Sequence, residues 1–285
     1  MMSALLSVEN LQVRFGQHVA VDRVSFNLAQ GEMLALVGES GSGKSATALS
    51  IMGLLASQAE VSGRILFEDR DLLSLPQPVL RGLRGDQISM IFQEPMTSLN
   101  PVYSVGAQIA ESLRLHQRLN RKQARARAIE LLDLVNIPDP ARRVDDFPHQ
   151  LSGGQRQRVM IAMAVACEPK LLIADEPTTA LDVTVQANIM MLLDRLRSEL
   201  SLSILMISHD LGLVSQWADH VAVMHQGKVV EQGSAEAIFR HPKHEYTRGL
   251  MEASLSGEND LHYRQRLLTE IRYDGKERFQ LHQPT

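Results

Sequence analysis

The stretch Gly38-Glu39-Ser40-Gly41-Ser42-Gly43-Lys44-Ser45 decides the fold. It matches G-x-x-x-x-G-K-[ST], a pattern whose glycines let the backbone curl so that successive N–H groups converge on phosphate oxygens. The apolar run Met33–Val37 before it suits a buried parallel strand, and residues 46–52 after it suit a helix. Strand, glycine-rich loop and helix in that order form an anion site, since bare amides and the helix dipole both favour negative charge. Lys44 would reach the β- and γ-phosphates, and Ser45 would ligate Mg²⁺. A mere Gly/Ser-rich turn would match these four fixed positions in roughly 1% of chains of this length, from average residue usage. The flanking elements decide for a nucleotide, ATP or GTP.

Composition bounds the rest. A chain of 285 residues can bury a sizeable core, in one large domain or one with sub-lobes. With 44% hydrophobic and 22% charged residues it is an ordinary globular sequence. A net charge of −4 and a pI near 6.2 leave no electrostatic footprint for nucleic acid. The most basic window, residues 114–127, reads as a solvated helix face. The lone Cys167 excludes a disulfide framework and a Cys-pair zinc site, and its neighbours Met163-Ala164-Val165-Ala166 make it a small buried residue. There is no signal-peptide pattern at the start, and the longest apolar run, residues 159–167, is too short for a bilayer. A cytosolic protein is expected, whose membrane role would need a partner.

In chain order, residues 6–15 and 19–28 alternate in part, with a turn at Gly16-Gln17, and predict two strands. Phe15, just before that turn, can stack on a base or fill the strand core. Residues 61–67 and 88–92 predict further strands, the second followed by Gln93 and then Glu94-Pro95. Residues 94–150 change texture: helical spacing dominates, clearest over residues 121–135, with Ala124, Ala128, Leu131 and Val135 on one face and Pro138 beyond. This segment reads as a helical insertion between two halves of a nucleotide-binding core. Linker-like composition is confined to residues 254–260.

Leu151-Ser152-Gly153-Gly154-Gln155 follows: an N-cap serine and two glycines exposing backbone amides at the start of a helix. Alone, S-G-G is only a capped helix. Together with the loop at Gly38, these five residues resemble the ATP-binding cassette (ABC) ATPases, whose signature is L-S-G-G-Q.

The resemblance covers most of the chain. It implies an α/β fold: a P-loop NTPase core with an N-terminal antiparallel β subdomain and an inserted α-helical subdomain. The expected division is 1–93 for the first part of the ATP-binding core, 94–150 for the helical subdomain, 151–235 for the signature helix and the rest of the core, and 236–285 for a C-terminal extension. Leu171-Leu172-Ile173-Ala174-Asp175-Glu176 looks like the family's acid-delivering strand. Asp175 would then hold the Mg²⁺ shell, and Glu176 would orient and deprotonate the attacking water. His209, after the apolar run 204–207, stands where the family has its switch histidine, and Gln93 matches the Q-loop glutamine that senses γ-phosphate and Mg²⁺. Ala180-Leu181-Asp182 looks like the D-loop. The nucleotide contacts implied are Phe15, Gly38, Glu39, Ser40, Gly41, Ser42, Gly43, Lys44, Ser45 and Thr47 on one face, and Ser152, Gly153, Gly154, Gln155 and Asp182 on the other. Ser45, Gln93 and Asp175 are the implied metal set, and Gln93, Glu176 and His209 the catalytic one. In the family the two faces belong to different subunits and close on one ATP.

Gln93-Glu94-Pro95-Met96-Thr97-Ser98-Leu99-Asn100-Pro101 further resembles oligopeptide and dipeptide importers, whose members carry His-Pro-x-His-Pro-Tyr-Thr near the end. Here the run is His241-Pro242-Lys243-His244-Glu245-Tyr246-Thr247, with Glu245 for the second proline. Some members bind an iron–sulfur cluster through four C-terminal cysteines, and this chain, with Cys167 alone, is expected to bind none. The resemblance implies integral-membrane permease subunits and a second cassette as partners, an extracytoplasmic solute-binding protein acting indirectly, no nucleic acid, and a peripheral place on the cytoplasmic side of the cell membrane. Related importer branches carrying nickel or glutathione stay open, as does a non-transport ABC ATPase, although no coiled-coil insertion, second cassette or membrane helices accompany the motifs. Met96, Leu99 and Tyr103 are expected either to dock the permease or to pack the helical subdomain.

Overall fold

The computed structural model describes residues 4–93, 98–179, 181–255, 270–273 and 279–282. Its strands, in chain order, are β1 (Ala4–Phe15), β2 (His18–Ala29), β3 (Met33–Val37), β4 (Ala59–Phe67), β5 (Arg70–Asp71), β6 (Ile88–Ile91), β7 (Leu171–Asp175), β8 (Ser203–Ser208), β9 (His220–His225), β10 (Lys228–Ser234), β11 (Glu270–Tyr273) and β12 (Phe279–His282). Helices Lys44–Met52, Val105–His116, Arg121–Leu134, Gly153–Val165 and Val183–Glu199 are the longer ones before the C-terminal helix Glu245–Leu255.

The central sheet has the order β10-β9-β3-β8-β7-β6. It is parallel except where β10 meets β9. Strands buried on both faces need unbroken apolar runs, and β3 and β8 have them. Met33, Ala35 and Val37 of β3, with Ile204 and Met206 of β8 and Leu172 and Ala174 of β7, face one core, which continues into Ile109, Leu113, Ala124, Ala128 and Leu131 of the helices. The alternate residues Leu34, Leu36, Leu171, Ile173, Leu205 and Ile207 face a second core. That core is closed by Val8, Leu11, Phe26, Ile65 and Phe67 of the antiparallel sheet β2-β1-β4-β5. The period-two alternation of strands thus serves both layers at once.

Most expectations hold, with shifts at the ends. The strand expected over 61–67 begins at Ala59, because it continues pairing with β1 as far as Phe15. The strand expected to reach Phe92 ends at Ile91, the last residue opposite a β7 partner, and Phe92 is exposed. The helix Arg121–Leu134 starts on an Asn120–Gln123 capping box, and Val135 is its buried C-cap. Its basic face is solvated, with Arg125 forked on Asp145 and Arg127 bonded to Glu130 and Glu168. Leu99 is 2% exposed within the first core, so packing accounts for it, whereas Tyr103 is 57% exposed. Met96, the neighbouring Glu94, Pro95 and Thr97, and Ala180 of the expected D-loop lie outside the described residues. Among the described residues no helix is long and apolar enough to cross a membrane.

Candidate functional site

Strand register assembles the site. Ile91 lies opposite Ala174, Asp175 opposite Ile207, and Val37 opposite Ser208. The residues that follow each strand, Gln93, Glu176, His209 and the loop from Gly38, therefore emerge at one edge of the sheet, outside the carboxyl ends of parallel strands where open α/β folds bind ligands.

Glu176 is the convergence point. Gln93 Nε2 and Thr179 Oγ1 each donate to its Oε2 at 2.8 Å, and His209 Nδ1 lies 3.1 Å from its Oε1. Burial works against the charged carboxylate, but the bonds from Thr179 and His209, the His209 charge and the Gln93 amide outweigh it and hold the pKa below the usual value. The backbone at Glu176 has φ +48°, the left-handed region, and its N–H donates to Ile207 O at 2.9 Å. A non-glycine residue there stores roughly 1–2 kcal/mol. The positive φ ends β7 at Asp175 and turns the chain off the strand at Glu176.

Beside it the phosphate loop is folded tightly on its neighbours. A Cβ on Gly38, at φ +147°, would lie 2.1 Å from Met224 O, and one on Gly43, at φ +104°, 2.5 Å from Ala20 O, so both positions require glycine. Gly43 precedes the helix Lys44–Met52, whose first amides carry no side-chain cap and stay open to an anion. Lys44 is 6% exposed, and its Nζ donates to Gly38 O and Glu39 O at 2.8 Å and lies 3.4 Å from Ser42 Oγ. Burial lowers its pKa, and the charges of Glu176, Asp175 and Glu39 oppose that shift. Thr47 Oγ1 donates back to Gly43 O at 2.9 Å, tying the loop to the helix. The exposed Glu39 and Ser40 and the Gly41 turn complete the rim.

Ser45 Oγ donates to Asp175 Oδ1 at 3.4 Å. Asp175 is 5% exposed, and burial raises its pKa, with Glu176 adding to the shift and Ser45 and Lys44 opposing it. One buried carboxylate and one hydroxyl beside a phosphate-binding loop fit Mg²⁺, which takes one or two protein ligands and completes its shell with water and substrate phosphates. Gln93 faces the same corner through Glu176.

The second expected face is built separately. Ser152 Oγ accepts from Gln155 N at 3.3 Å and Gln155 Oε1 accepts from Ser152 N at 3.0 Å, a reciprocal capping box that leaves the next amides open. Ser152 and Gly153 are exposed. Gly154 packs where a Cβ would come within 2.9 Å of Val185 Cγ1, so the signature turn abuts the helix Val183–Glu199. That helix is N-capped by Asp182, whose carboxylate accepts from Val185 N at 2.9 Å. The structure thus brings Gln93, Lys44, Ser45, Asp175, Glu176 and His209 together, and gathers Ser152–Gln155 with Asp182 in a second group. Phe15 is half-buried at the β1–β2 hairpin, packed against the second core.

Two partners were not expected from sequence. Thr179 reaches Glu176 because the left-handed residue at 176 folds the next three residues back, with Thr179 N–H donating to Glu176 O at 3.2 Å. A hydroxyl three residues past a strand-end acid was its available signal. The other is Tyr246, whose hydroxyl oxygen accepts from Glu39 N at 3.2 Å.

The sequence model described as "ABC transporter" matches residues 21–179. The chain is 55% identical over 255 residues to the dipeptide transport ATP-binding protein DppD of Haemophilus influenzae, covering 88% of this chain and 77% of that protein. It is 53% identical over 256 residues to the oligopeptide transport ATP-binding protein OppD of the same organism, covering 88% and 79%. Over 260 residues it is 57% identical to the peptidoglycan transport ATP-binding protein YejF of Agrobacterium fabrum, where it covers 89% of this chain but 48% of that protein, about half its length. Among solved structures, a dimeric post-hydrolysis state of the ATP-binding cassette MJ0796 bound to ADP and Pi superposes with a TM-score of 0.72 at 28% identity, covering 81% of this chain and 98% of that one.

Proposed function

Because the chain belongs to the ABC transporter family, we propose that it is the ATP-hydrolysing subunit of an importer for peptides or similar small solutes. The observation that carries this reading is the Glu176 carboxylate, kept ionised by Gln93, Thr179 and His209 at the sheet edge that also holds Lys44 and Asp175.

Each residue then has a task. Loop amides and Lys44 bind the phosphate chain. Glu176, ionised at neutral pH, orients the attacking water and accepts its proton; the donors that hold its pKa below the usual value keep it charged and fixed in place at some cost in basicity. Gln93 and His209 fix the direction in which the carboxylate points, and both border the place where the γ-phosphoryl group would sit. Ser45 and Asp175, with Gln93 nearby, would hold Mg²⁺, which when bound would supply charge that neutralises the phosphates during transfer of the phosphoryl group to water. The exposed Ser152 cap offers its open amides to ATP on a second cassette, so that a closed dimer completes two sites. The dimeric relative in its post-hydrolysis state supports that arrangement. ATP favours closure only by its differential affinity for the closed state.

Transport then runs through separate integral-membrane permease subunits, with this chain bound peripherally at their cytoplasmic side. The exposed Tyr103, ten residues after Gln93, belongs to the surface that docks them. The test is uptake of a labelled tripeptide by cells in which this chain is replaced by variants. Lys44→Ala should abolish uptake together with phosphate release by the purified protein, whereas Tyr103→Asp should abolish uptake and leave phosphate release near normal. Uptake that survives Lys44→Ala would overturn the proposal.

A further inference from the structure

Residues 241–247 mark the peptide-importer resemblance but have no task in the scheme above. Their placement gives them one. Glu231 of β10 accepts from the backbone amides of Lys243 at 2.8 Å and His244 at 3.0 Å. Burial opposes its charge, yet these amides contribute to holding its carboxyl below the usual range, so the clasp is a charge-assisted one. Tyr246 N–H donates to His244 Nδ1 at 3.2 Å, which opens the helix Glu245–Leu255. Pinned in this way, Tyr246 has no exposed surface, although it lies in a C-terminal extension. Its ring packs on His225, with centroids 4.0 Å apart.

What lies above that ring is the phosphate loop. His225 follows Met224, whose carbonyl is the atom that forbids a side chain at Gly38. Glu39 N–H donates to the Tyr246 hydroxyl at 3.2 Å, and the carbonyl of the same Glu39 accepts from Lys44 Nζ at 2.8 Å. A single residue of the loop therefore bonds Tyr246 with its amide and the phosphate-binding lysine with its carbonyl. Burial pushes the Tyr246 hydroxyl up to about 12, so it stays a neutral acceptor across the working pH range.

We propose that Tyr246 is a positioning residue of the nucleotide site: its hydroxyl fixes the Glu39 backbone, and with it the loop carbonyls from which Lys44 meets the phosphates. This rests on the reading of the loop as an ATP site. With Tyr246 in place the loop is organised before nucleotide arrives. Without the hydroxyl the Glu39 amide loses its acceptor, and binding must order the loop as well as fill it.

Tyr246→Phe keeps the ring and removes only the acceptor. The Kd for MgATP, read by calorimetric titration of the full chain, should rise about 3- to 10-fold, in keeping with one partly buried hydrogen bond. The KM for ATP should rise by the same factor while kcat stays within about twofold, the pattern of an interaction equal in ground and transition states. A Kd and KM within twofold of the unsubstituted protein overturn the inference. A lowered melting temperature with unchanged Kd does so too, and assigns Tyr246 to fold stability alone. Amide exchange in the unsubstituted, nucleotide-free protein is a second measurement independent of the variant's folding: Glu39 should be protected, and exchange at the open-loop rate would refute the bond. Failure of the unsubstituted protein to bind ATP would instead strike the nucleotide reading itself.

Discussion

Replacing Glu176 by glutamine separates chemistry from binding. The carboxylate accepts at Oε2 from Gln93 and Thr179 and faces His209 Nδ1 at Oε1. A glutamine fits the same space if its carbonyl takes the Oε2 position, keeping both donors, and its amide turns to His209, whose neutral ring accepts when its proton is on Nε2. What is lost is charge. Two charge-assisted hydrogen bonds become neutral ones, costing about 1–2 kcal/mol in stability, a fall of roughly 2–8 °C in melting temperature for a domain of this size. What is lost in catalysis is larger. Without a proton acceptor, turnover should drop by about 10²- to 10⁴-fold, or about 3–5 kcal/mol of barrier, while the Kd for MgATP, which depends on the loop and Lys44, changes by less than about threefold. Steady-state phosphate release and nucleotide titration on the same preparation measure the two. The wild-type carboxyl has a folded pKa below its ordinary 4.5, so its stabilising contribution is complete above that pH and fades as pH falls through the folded value. The gap in melting temperature between the two proteins should therefore narrow as pH falls below about 4.5. Turnover within tenfold of wild type would refute the assignment of Glu176 as the base, and so would parallel losses of binding and turnover.

Ser152→Arg places a long cation at an exposed cap whose amides are proposed to meet a second subunit's nucleotide. In a Glu176→Gln background, light scattering on a sizing column should show ATP-dependent dimers that the added Ser152→Arg abolishes while MgATP titration is unchanged. The measurement is repeated with a candidate partner cassette, and dimers that persist would sink the two-face arrangement. Cys167 is 9% exposed, and burial pushes its thiol up to about 11. At pH 8 its thiolate fraction is thus about a hundredfold below that of a thiol with the ordinary value of 9.0. Labelling by a thiol reagent should be slower by at least that factor in the native protein than in urea, and equal rates would show that Cys167 is not held in the core.

The phosphate loop, the acid-bearing strand and the signature could all be read from residue order because their chemistry is local. Gly43, Lys44 and Ser45 must be consecutive and Gly38 five positions earlier to form one phosphate-type loop, and Ser152 and Gln155 must be three apart to cap one helix turn. Strand ends were less exact. Phe92 has the apolar character of a strand residue, but pairing with β7 stops at Ile91, opposite Ala174. Leu99 shows the same limit, since an apolar residue after Gln93 suits a docking surface or a core equally, and only its burial decides.

By itself the sequence determined the class of protein, and it named the side chains proposed to carry the chemistry, because both depend on residue identity at short spacing. The tertiary structure alone decided how those side chains meet. Gln93 and Glu176 lie 83 positions apart along the chain, and Glu176 and His209 lie 33 apart. Their contact follows from the parallel register of β6, β7 and β8, a long-range pairing that no local pattern encodes. The same holds for Tyr246 beneath Glu39, 207 positions away, where a C-terminal helix start is brought to the loop by the packing of β9 and β10 rather than by anything in either segment.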